Sequence, residues 1–157
     1  MKAKLAVLVS GNGTNLQAMI NAIQFGLLQA EIAVVVSTRP HAYALERAAQ
    51  AGIPTMVVAR KSYPDNEAYS EALLEVLEPY APDLILLAGF MSVLSDAFVS
   101  HYTGRIMNTH PALIPAFCGP GFYGDRVHQA VLDYGAKVSG ASIIFVEPGV
   151  ATRRTSL

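Results

Sequence analysis

Hydrophobic and polar positions along the chain follow two alternating patterns. Short apolar runs alternate with longer segments in which apolar residues recur at spacings of three and four. The short runs predict β-strands at Leu5–Val9, Ile32–Val36, Thr55–Val58, Leu84–Leu87, Arg105–Met107 and Ala141–Val146. The longer segments predict helices at Asn15–Leu28, Tyr43–Gln50, Asn66–Tyr80, Asp125–Tyr134 and a short one from a cap at Ser95 through Tyr102. This rhythm is typical of βαβ units, so we expect an α/β fold with a mostly parallel sheet.

The first predicted helix shows the helical pattern clearly. Its apolar positions form one stripe, made of Leu16, Met19, Ile20, Ile23 and Leu27. Such a stripe is typical of an amphipathic helix that packs on a sheet.

Length, composition and charge narrow the class of protein. A chain of 157 residues that is 52% hydrophobic predicts one globular domain over residues 1–157. Eleven Lys and Arg against twelve Asp and Glu give a formal charge of −1, so we expect neither nucleic acid nor a membrane surface as a partner. The apolar run before Ser10 is too short for a signal peptide or a membrane span. A small ligand and a cytoplasmic location are the prediction.

Cysteine usage argues against a disulfide or a metal site. Cys118 is the one cysteine, so it has no intramolecular partner, and no Cys/His cluster offers ligands to a metal. A loop thiol without a feature that lowers its pKa is more often incidental than nucleophilic.

The turn between the first strand and the first helix is a candidate anion site. It reads Ser10-Gly11-Asn12-Gly13-Thr14-Asn15. Glycines allow backbone N–H groups to approach an anion, Thr14 and Asn15 add donors or cap the helix, and the helix N-terminus is electropositive. The turn lacks the third glycine of a dinucleotide site and the Lys of a P-loop. It therefore predicts a phosphate monoester, although any tight strand-to-helix turn also favours Gly and Asn.

A second candidate site is Asn108 and His110, two residues apart near the end of the fifth predicted strand. A strand places residues i and i+2 on the same face, so both side chains can point at one reacting atom. His can transfer a proton near neutral pH, and the Asn amide can donate to an oxyanion. The pair predicts acyl transfer, although an isolated Asn-x-His is more often a helix cap or a satisfied loop histidine.

Other residues are weaker candidates. His41, His101 and His128 fit solvated or capping positions better than catalytic ones. Apolar residues after the fourth strand could either belong to the core or line an apolar pocket, and these are Phe90, Met91, Val93 and Leu94.

Three segments, "LVSGNGTNLQAMI", "LAGFMSVLS" and "MNTHPALIPAFCGPGFYG", resemble in order the phosphoribosylglycinamide formyltransferase family. The resemblance covers nearly the whole chain and implies a Rossmann-like open sheet with helices on both faces. It implies formyl transfer from 10-formyltetrahydrofolate to the amine of glycinamide ribonucleotide in purine biosynthesis. We expect a monomer or homodimer that needs no metal.

The resemblance also assigns roles to residues of this chain. Gly13, Thr14 and Asn15 would bind the ribonucleotide phosphate, and His110 would transfer the proton. Asn108 would stabilise the oxyanion and contact the folate. The folate pocket would be lined by the segment Met91, Ser92, Val93 and Leu94.

Some positions depart from the family pattern. Ile144 stands where the family usually has His, and Ala151 stands where an Asp that orients the catalytic His is expected. Arg153 and Arg154 replace a Gly-Pro, and the chain ends where relatives continue, so we expect a C-terminal truncation. Loss of a carboxylate partner removes an interaction that raises a histidine pKa and orients the ring. The resemblance therefore implies impaired activity.

Three explanations of these departures stay open: a truncated or altered form of an active enzyme, a weak or inactive relative, and Glu147 in place of the Asp. Ser92 and Asn66 also occupy positions that often hold Arg. Two alternative functions follow. One is a 10-formyltetrahydrofolate hydrolase, which would be expected to carry an additional N-terminal regulatory domain, and the other is a noncatalytic ligand-binding relative.

Overall fold

A computed structural model describes residues 1–119, 121–122 and 124–149. Its strands are β1 (Ala3–Val9), β2 (Ala30–Ser37), β3 (Thr55–Val57), β4 (Leu84–Leu87), β5 (Ile106–His110) and β6 (Ser142–Phe145). Its α-helices are α1 (Thr14–Gln24), α2 (Tyr43–Gln50), α3 (Asn66–Leu77), α4 (Asp96–His101) and α5 (Asp125–Tyr134). Short 3₁₀ helices span Arg60–Ser62 and Glu78–Tyr80. The predictions that concern Ala151, Arg153 and Arg154 lie outside the described residues.

The strands form one six-stranded sheet in the order β3-β2-β1-β4-β5-β6. All neighbouring pairs are parallel except β5 and β6, which are antiparallel. The α/β class and the mostly parallel sheet are thus confirmed. Connections reverse direction between β1 and β4, and in open α/β sheets this switch point is where a crevice forms at the carboxyl ends of the strands.

Helices cover both faces of the sheet because β1 is apolar on both of its faces. Ala6 and Leu8 belong to the core that includes residues of α3 and α4, whereas Leu5, Val7 and Val9 belong to the core that includes residues of α1 and α2. Successive side chains of a strand point to opposite faces, so a continuous apolar run is what a central parallel strand requires. The two cores therefore hold β1 in place from both sides.

Two predicted helices end earlier than their periodicity indicates. The first ends at Gln24, and Leu27 is 81% exposed rather than part of the buried stripe. Gly26 adopts φ +71, the left-handed conformation that commonly terminates helices, and Leu27 N–H bonds back to Ala22 O at 2.8 Å. The third is α-helical to Leu77 and then tightens into the 3₁₀ turn that contains Pro79.

The fifth strand is longer than predicted. It was expected at Arg105–Met107 but spans Ile106–His110, because residues 107–110 pair with β6 in antiparallel register. Asn108 and His110 therefore lie within the strand instead of after it, a correction that places both side chains on a paired and rigid backbone.

Candidate active site

A cavity of about 490 Å³ opens at the carboxyl ends of the parallel strands. Its lining includes Asn15 from the start of α1 and Arg39 from the turn after β2. It also includes Asn108 and His110 from β5, with the loop after β4 forming another wall. The two loops singled out in the sequence therefore face one cleft.

Asn108 and His110 lie on the same face of β5, as the spacing of two residues requires. In the register with β6, Asn108 is opposite Ile144 and His110 is opposite Ser142. Ile144, which occupies the position where a His was expected from the resemblance, also lines the cavity. An apolar side chain thus lies opposite Asn108 in the sheet.

The His110 ring is buried, with 3% of its surface exposed. Its Nε2 atom is 2.9 Å from the backbone oxygen of Phe117. A carbonyl oxygen can only accept, so Nε2–H donates this bond, and in the neutral ring Nδ1 carries the lone pair. Among the described residues, this carbonyl is the one hydrogen-bond partner of the ring. Within the described part of the chain, the histidine is therefore oriented by a backbone group and not by a carboxylate.

Ser142 holds the loop that follows His110. Its hydroxyl donates to Ala112 O at 2.7 Å and accepts from Ile114 N–H at 3.0 Å. The loop reaches Phe117, which has φ +51, so the anchored segment leads directly to the carbonyl that bonds His110. Neither Ser142 nor Phe117 was predictable as a site residue from the sequence, since their roles depend on the pairing of β5 with β6 and on the path of a loop.

The loop between β1 and α1 has its backbone carbonyls turned toward the protein. Gly11 O accepts from Ala44 N–H at 3.1 Å, and Gly13 O accepts from Gln17 N–H at 2.9 Å. The carbonyl between them, Asn12 O, accepts from Arg47 Nε at 2.8 Å. Within the described residues, the backbone N–H groups of residues 12–16 donate no hydrogen bond to the protein. Successive free N–H groups at a helix N-terminus are suited to bind an anion.

Gly13 and Thr14 do not line the cavity itself, whereas Asn15 does. Gly13 is the N-cap of α1 with φ +74, and none of the described side chains caps this helix, so the capping role considered for Thr14 and Asn15 is not observed. Both of those side chains are exposed and are available to a ligand.

The loop after β4 supplies an apolar wall, and the predicted segment from Met91 to Leu94 lies on it. Leu94 is 3% exposed and also belongs to the core, whereas Met91 is 48% exposed. Ser92 and Val93 are half-buried between these extremes. The open alternatives of core and pocket thus both hold, at different residues of one short segment.

Buried hydroxyls join the ends of β1 and β2 to the loop after β4. Thr38 Oγ1 donates to Ser10 Oγ at 2.8 Å, and the same oxygen accepts from Met91 N–H at 2.9 Å. Ser10 and Thr38 were missed as site-supporting residues; a polar residue directly after an apolar strand was the available signal.

The weaker candidates lie apart from the cavity lining. His41 and His128 are exposed, and His101 ends α4 with its ring against Tyr102. Cys118 Sγ is 3.1 Å from Pro115 O. Glu147 is exposed and is absent from the described lining residues, and the described partner of the His110 ring is the Phe117 carbonyl.

None of the helices in the described ranges has both the length and the apolar character that crossing a bilayer demands.

Comparison with known proteins identifies the relatives of this chain. The sequence profile of the formyl transferase family matches residues 3–152. The chain is 43% identical over 142 residues to the phosphoribosylglycinamide formyltransferase of Escherichia coli strain K12, covering 90% of this chain and 65% of the relative.

Solved structures agree with the sequence comparison. The phosphoribosylglycinamide formyltransferase of Coxiella burnetii matches with a TM-score of 0.85 and 44% identity, over 94% of this chain and 67% of that one. The formyltetrahydrofolate deformylase of Burkholderia mallei matches with a TM-score of 0.79 and 26% identity, over 96% of this chain and 50% of that one. The chain thus spans about two thirds of the length of these formyltransferases and half of the deformylase.

Proposed function

The chain belongs to the formyl transferase family, and we propose that it transfers a formyl group from 10-formyltetrahydrofolate to the amine of glycinamide ribonucleotide. The relatives that are named phosphoribosylglycinamide formyltransferases support the acceptor. The observation that carries the proposal is that Asn15, Asn108 and His110 line one cavity. One small ligand can then place its phosphate at Asn15 and its amine beside Asn108 and His110.

In this proposal, the ribonucleotide phosphate binds at the free N–H groups of residues 12–16, with Thr14 and Asn15 as side-chain donors. The positive end of α1 favours the dianion, since unpaired N–H groups carry partial positive charge. Arg39, which is exposed on the rim of the cavity, adds a positive charge on the same side. The folate binds against the apolar wall between Met91 and Leu94.

The chemistry then needs one bond formed and one broken. The amine nitrogen attacks the formyl carbon, and the carbonyl oxygen becomes an oxyanion that the Asn108 amide stabilises by donating a hydrogen bond. The bond from the formyl carbon to N10 of the folate breaks. The amine loses a proton and N10 gains one, with His110 Nδ1 as the proton carrier. The Phe117 carbonyl keeps Nε2 protonated and so reserves Nδ1 for this task.

We expect catalysis below that of a site with a carboxylate partner for the histidine. A neutral carbonyl orients the ring but stabilises the imidazolium less than a carboxylate does. Ile144 beside Asn108 also offers no donor to the oxyanion. Binding of both ligands does not depend on these two features, so affinity and turnover are separable quantities in this chain.

A spectroscopic assay of tetrahydrofolate formation tests the proposal. Product that appears only when glycinamide ribonucleotide is present supports formyl transfer. Product without the ribonucleotide indicates the hydrolase alternative, which a deformylase among the structural relatives makes worth testing. Binding of both ligands with no product indicates a noncatalytic relative, and absence of ribonucleotide binding contradicts the proposal altogether.

We propose further that the protein is cytoplasmic and that it acts on small molecules as a monomer or homodimer. Light scattering on the purified chain, with and without the ribonucleotide, measures the oligomeric state directly.

A further inference from the structure

Arg47, on α2, makes three contacts around the loop that precedes α1. Its Nε donates to Asn12 O at 2.8 Å, and its Nη1 donates to Gln17 Oε1 at 3.2 Å. Its guanidinium carbon lies 4.9 Å from the centre of the Tyr43 ring. The side chain is half-buried, so its position is determined by packing from one side and hydrogen bonds from the other.

The carbonyl that Arg47 holds is the one in the loop whose hydrogen bond a side-chain substitution can remove. Gly11 O and Gly13 O are held by backbone N–H groups of α2 and α1, which side-chain substitution does not remove. Asn12 O is held by a side chain. The peptide between Asn12 and Gly13 can rotate most easily, because Gly13 tolerates both signs of φ. Such a rotation would bring a carbonyl oxygen to the anion side and take an N–H away from it.

We propose that Arg47 is a positioning residue for the phosphate of the acceptor substrate. It acts through Asn12: by holding that carbonyl toward α2, it keeps the N–H of Gly13 directed to the ligand side. Its charge, held behind the loop, also favours a bound dianion without touching it. The inference rests on the proposed function, because it assumes that the loop binds a phosphate monoester.

The test compares Arg47→Ala with the unmodified chain in calorimetric titrations of glycinamide ribonucleotide and of inorganic phosphate. We expect about tenfold weaker binding of the ribonucleotide, the size expected for one charge-assisted hydrogen bond. Folate affinity should stay unchanged. Arg47→Lys should recover part of the loss, because an ammonium can still donate to Asn12 O.

A matched control is Arg105→Ala. Arg105 also lies 4.9 Å from a tyrosine ring, that of Tyr102, and also donates to a backbone carbonyl, His101 O at 3.1 Å. It does not line the cavity in the described structure. Ribonucleotide affinity should therefore be unchanged in this variant, so that a loss restricted to Arg47 cannot come from removing a surface cation in general.

Two further measurements keep the test decisive. If Arg47→Ala does not fold, Arg47→Met retains packing on Tyr43 without a donor and replaces it. The amide resonance of Gly13 in a ¹⁵N spectrum should shift in either variant before ligand is added. Equal ribonucleotide affinity in the variant overturns the inference while leaving the proposed function intact. A parallel loss of folate affinity also overturns it, because it indicates general damage. If the unmodified chain binds no phosphate ester, the proposed function fails as well.

Discussion

The Ser10 hydroxyl accepts a hydrogen bond from Met91 N–H at 2.9 Å, which ties the end of β1 to the loop after β4. The candidate phosphate loop starts at Ser10, and the segment proposed to bind the folate starts at Met91. Ser10 is buried, with 2% of its surface exposed. Its hydroxyl oxygen therefore connects the regions proposed to bind the two substrates. This junction lies between β1 and β4, where the strand order of the sheet switches.

Ser10→Ala should lower the free energy of unfolding by about 1–3 kcal/mol, because Met91 N–H and the Thr38 hydroxyl both lose a buried acceptor. Hydrogen exchange at the Met91 amide should accelerate at the same time. Denaturant unfolding and exchange measured by NMR check both effects. Ser100→Ala, an exposed position within α4, is the control and should leave both quantities unchanged.

His110→Ala should reduce the turnover of formyl transfer by about 10²–10⁴-fold, the typical contribution of general acid–base catalysis. Ribonucleotide affinity should remain nearly constant, since phosphate binding is assigned to another loop. Asn15→Ala should do the reverse and weaken ribonucleotide binding first. His101→Ala, at the exposed end of α4, provides a histidine control. Undiminished turnover in His110→Ala would remove this residue from the mechanism.

Asn108→Asp should reduce turnover by about 10²–10³-fold, because a carboxylate is nearly the same size but cannot donate to an oxyanion and repels it. Asn108→Ala should cost less than Asn108→Asp, since it removes the donor without adding a negative charge. Steady-state kinetics with both variants measure the order. A carboxylate variant as active as the unmodified chain would argue against oxyanion stabilisation at this position.

Gly13→Ala should both destabilise the fold and abolish ribonucleotide binding. A Cβ at this position would lie 2.6 Å from Ala44 Cβ and 2.8 Å from Ala44 Cα, in a residue with φ +74. We expect about 1–2 kcal/mol from the left-handed conformation and about 1–3 kcal/mol from overpacking. Gly26→Ala is the matched control, because Gly26 has φ +71 and no described atom lies within 4 Å of its added Cβ. In denaturant unfolding, Gly26→Ala should show only the cost of the left-handed conformation.

Tyr69→Phe should change the alkaline limit of stability. Burial raises the pKa of Tyr69 above its usual value of 10.0, while the nearby Ser92 hydroxyl and the Arg60 charge lower it in part. The phenol has no hydrogen-bond partner of normal geometry within the described structure. Because the folded-state pKa is above the unfolded one, the unfolded chain releases this proton first. The contribution of Tyr69 to the free energy of unfolding is therefore fully present below pH 10.0 and is lost as the pH rises above that value.

The Tyr69→Phe variant should match or slightly exceed the unmodified chain at pH 7, because it removes an unpartnered polar group. It should lose less stability between about pH 10 and pH 11. Denaturant midpoints across this range give the comparison. Tyr134→Phe, which changes a side chain that is 81% exposed, should follow the unmodified chain; identical slopes in all three proteins would contradict the assignment to Tyr69.

The sequence pattern predicted much of the fold because the bounds of many helices and strands depend on residues that are near neighbours in the chain. The bounds of α2, α5 and β4 match the sequence prediction, since periodicity and flanking residues determine them. Leu27 shows the limit of this approach: its spacing fits the stripe of α1, but the backbone reverses at Gly26 before the helix reaches it. Spacing alone does not report where a glycine takes a left-handed conformation.

The candidate site likewise contains residues that the sequence predicts and residues that it does not. Asn108 and His110 were visible because two functional side chains two residues apart share a face of any strand. Ser142 and the Phe117 carbonyl were not, since a serine in an edge strand and a backbone oxygen carry no signal of their own. Arg47 was hidden for a related reason: its role depends on how α2 packs against the loop before α1.

The sequence by itself determined the alternation of strands and helices, the α/β class and the residue types able to bind phosphate and to assist acyl transfer. These follow from side-chain chemistry and from contacts between near neighbours in the chain. Only the tertiary structure decided that Asn15 and His110 line one cavity, and that a carbonyl orients the histidine. The physical reason is that strand order, register and loop path come from contacts between distant segments, whose energies depend on the packing of the whole sheet.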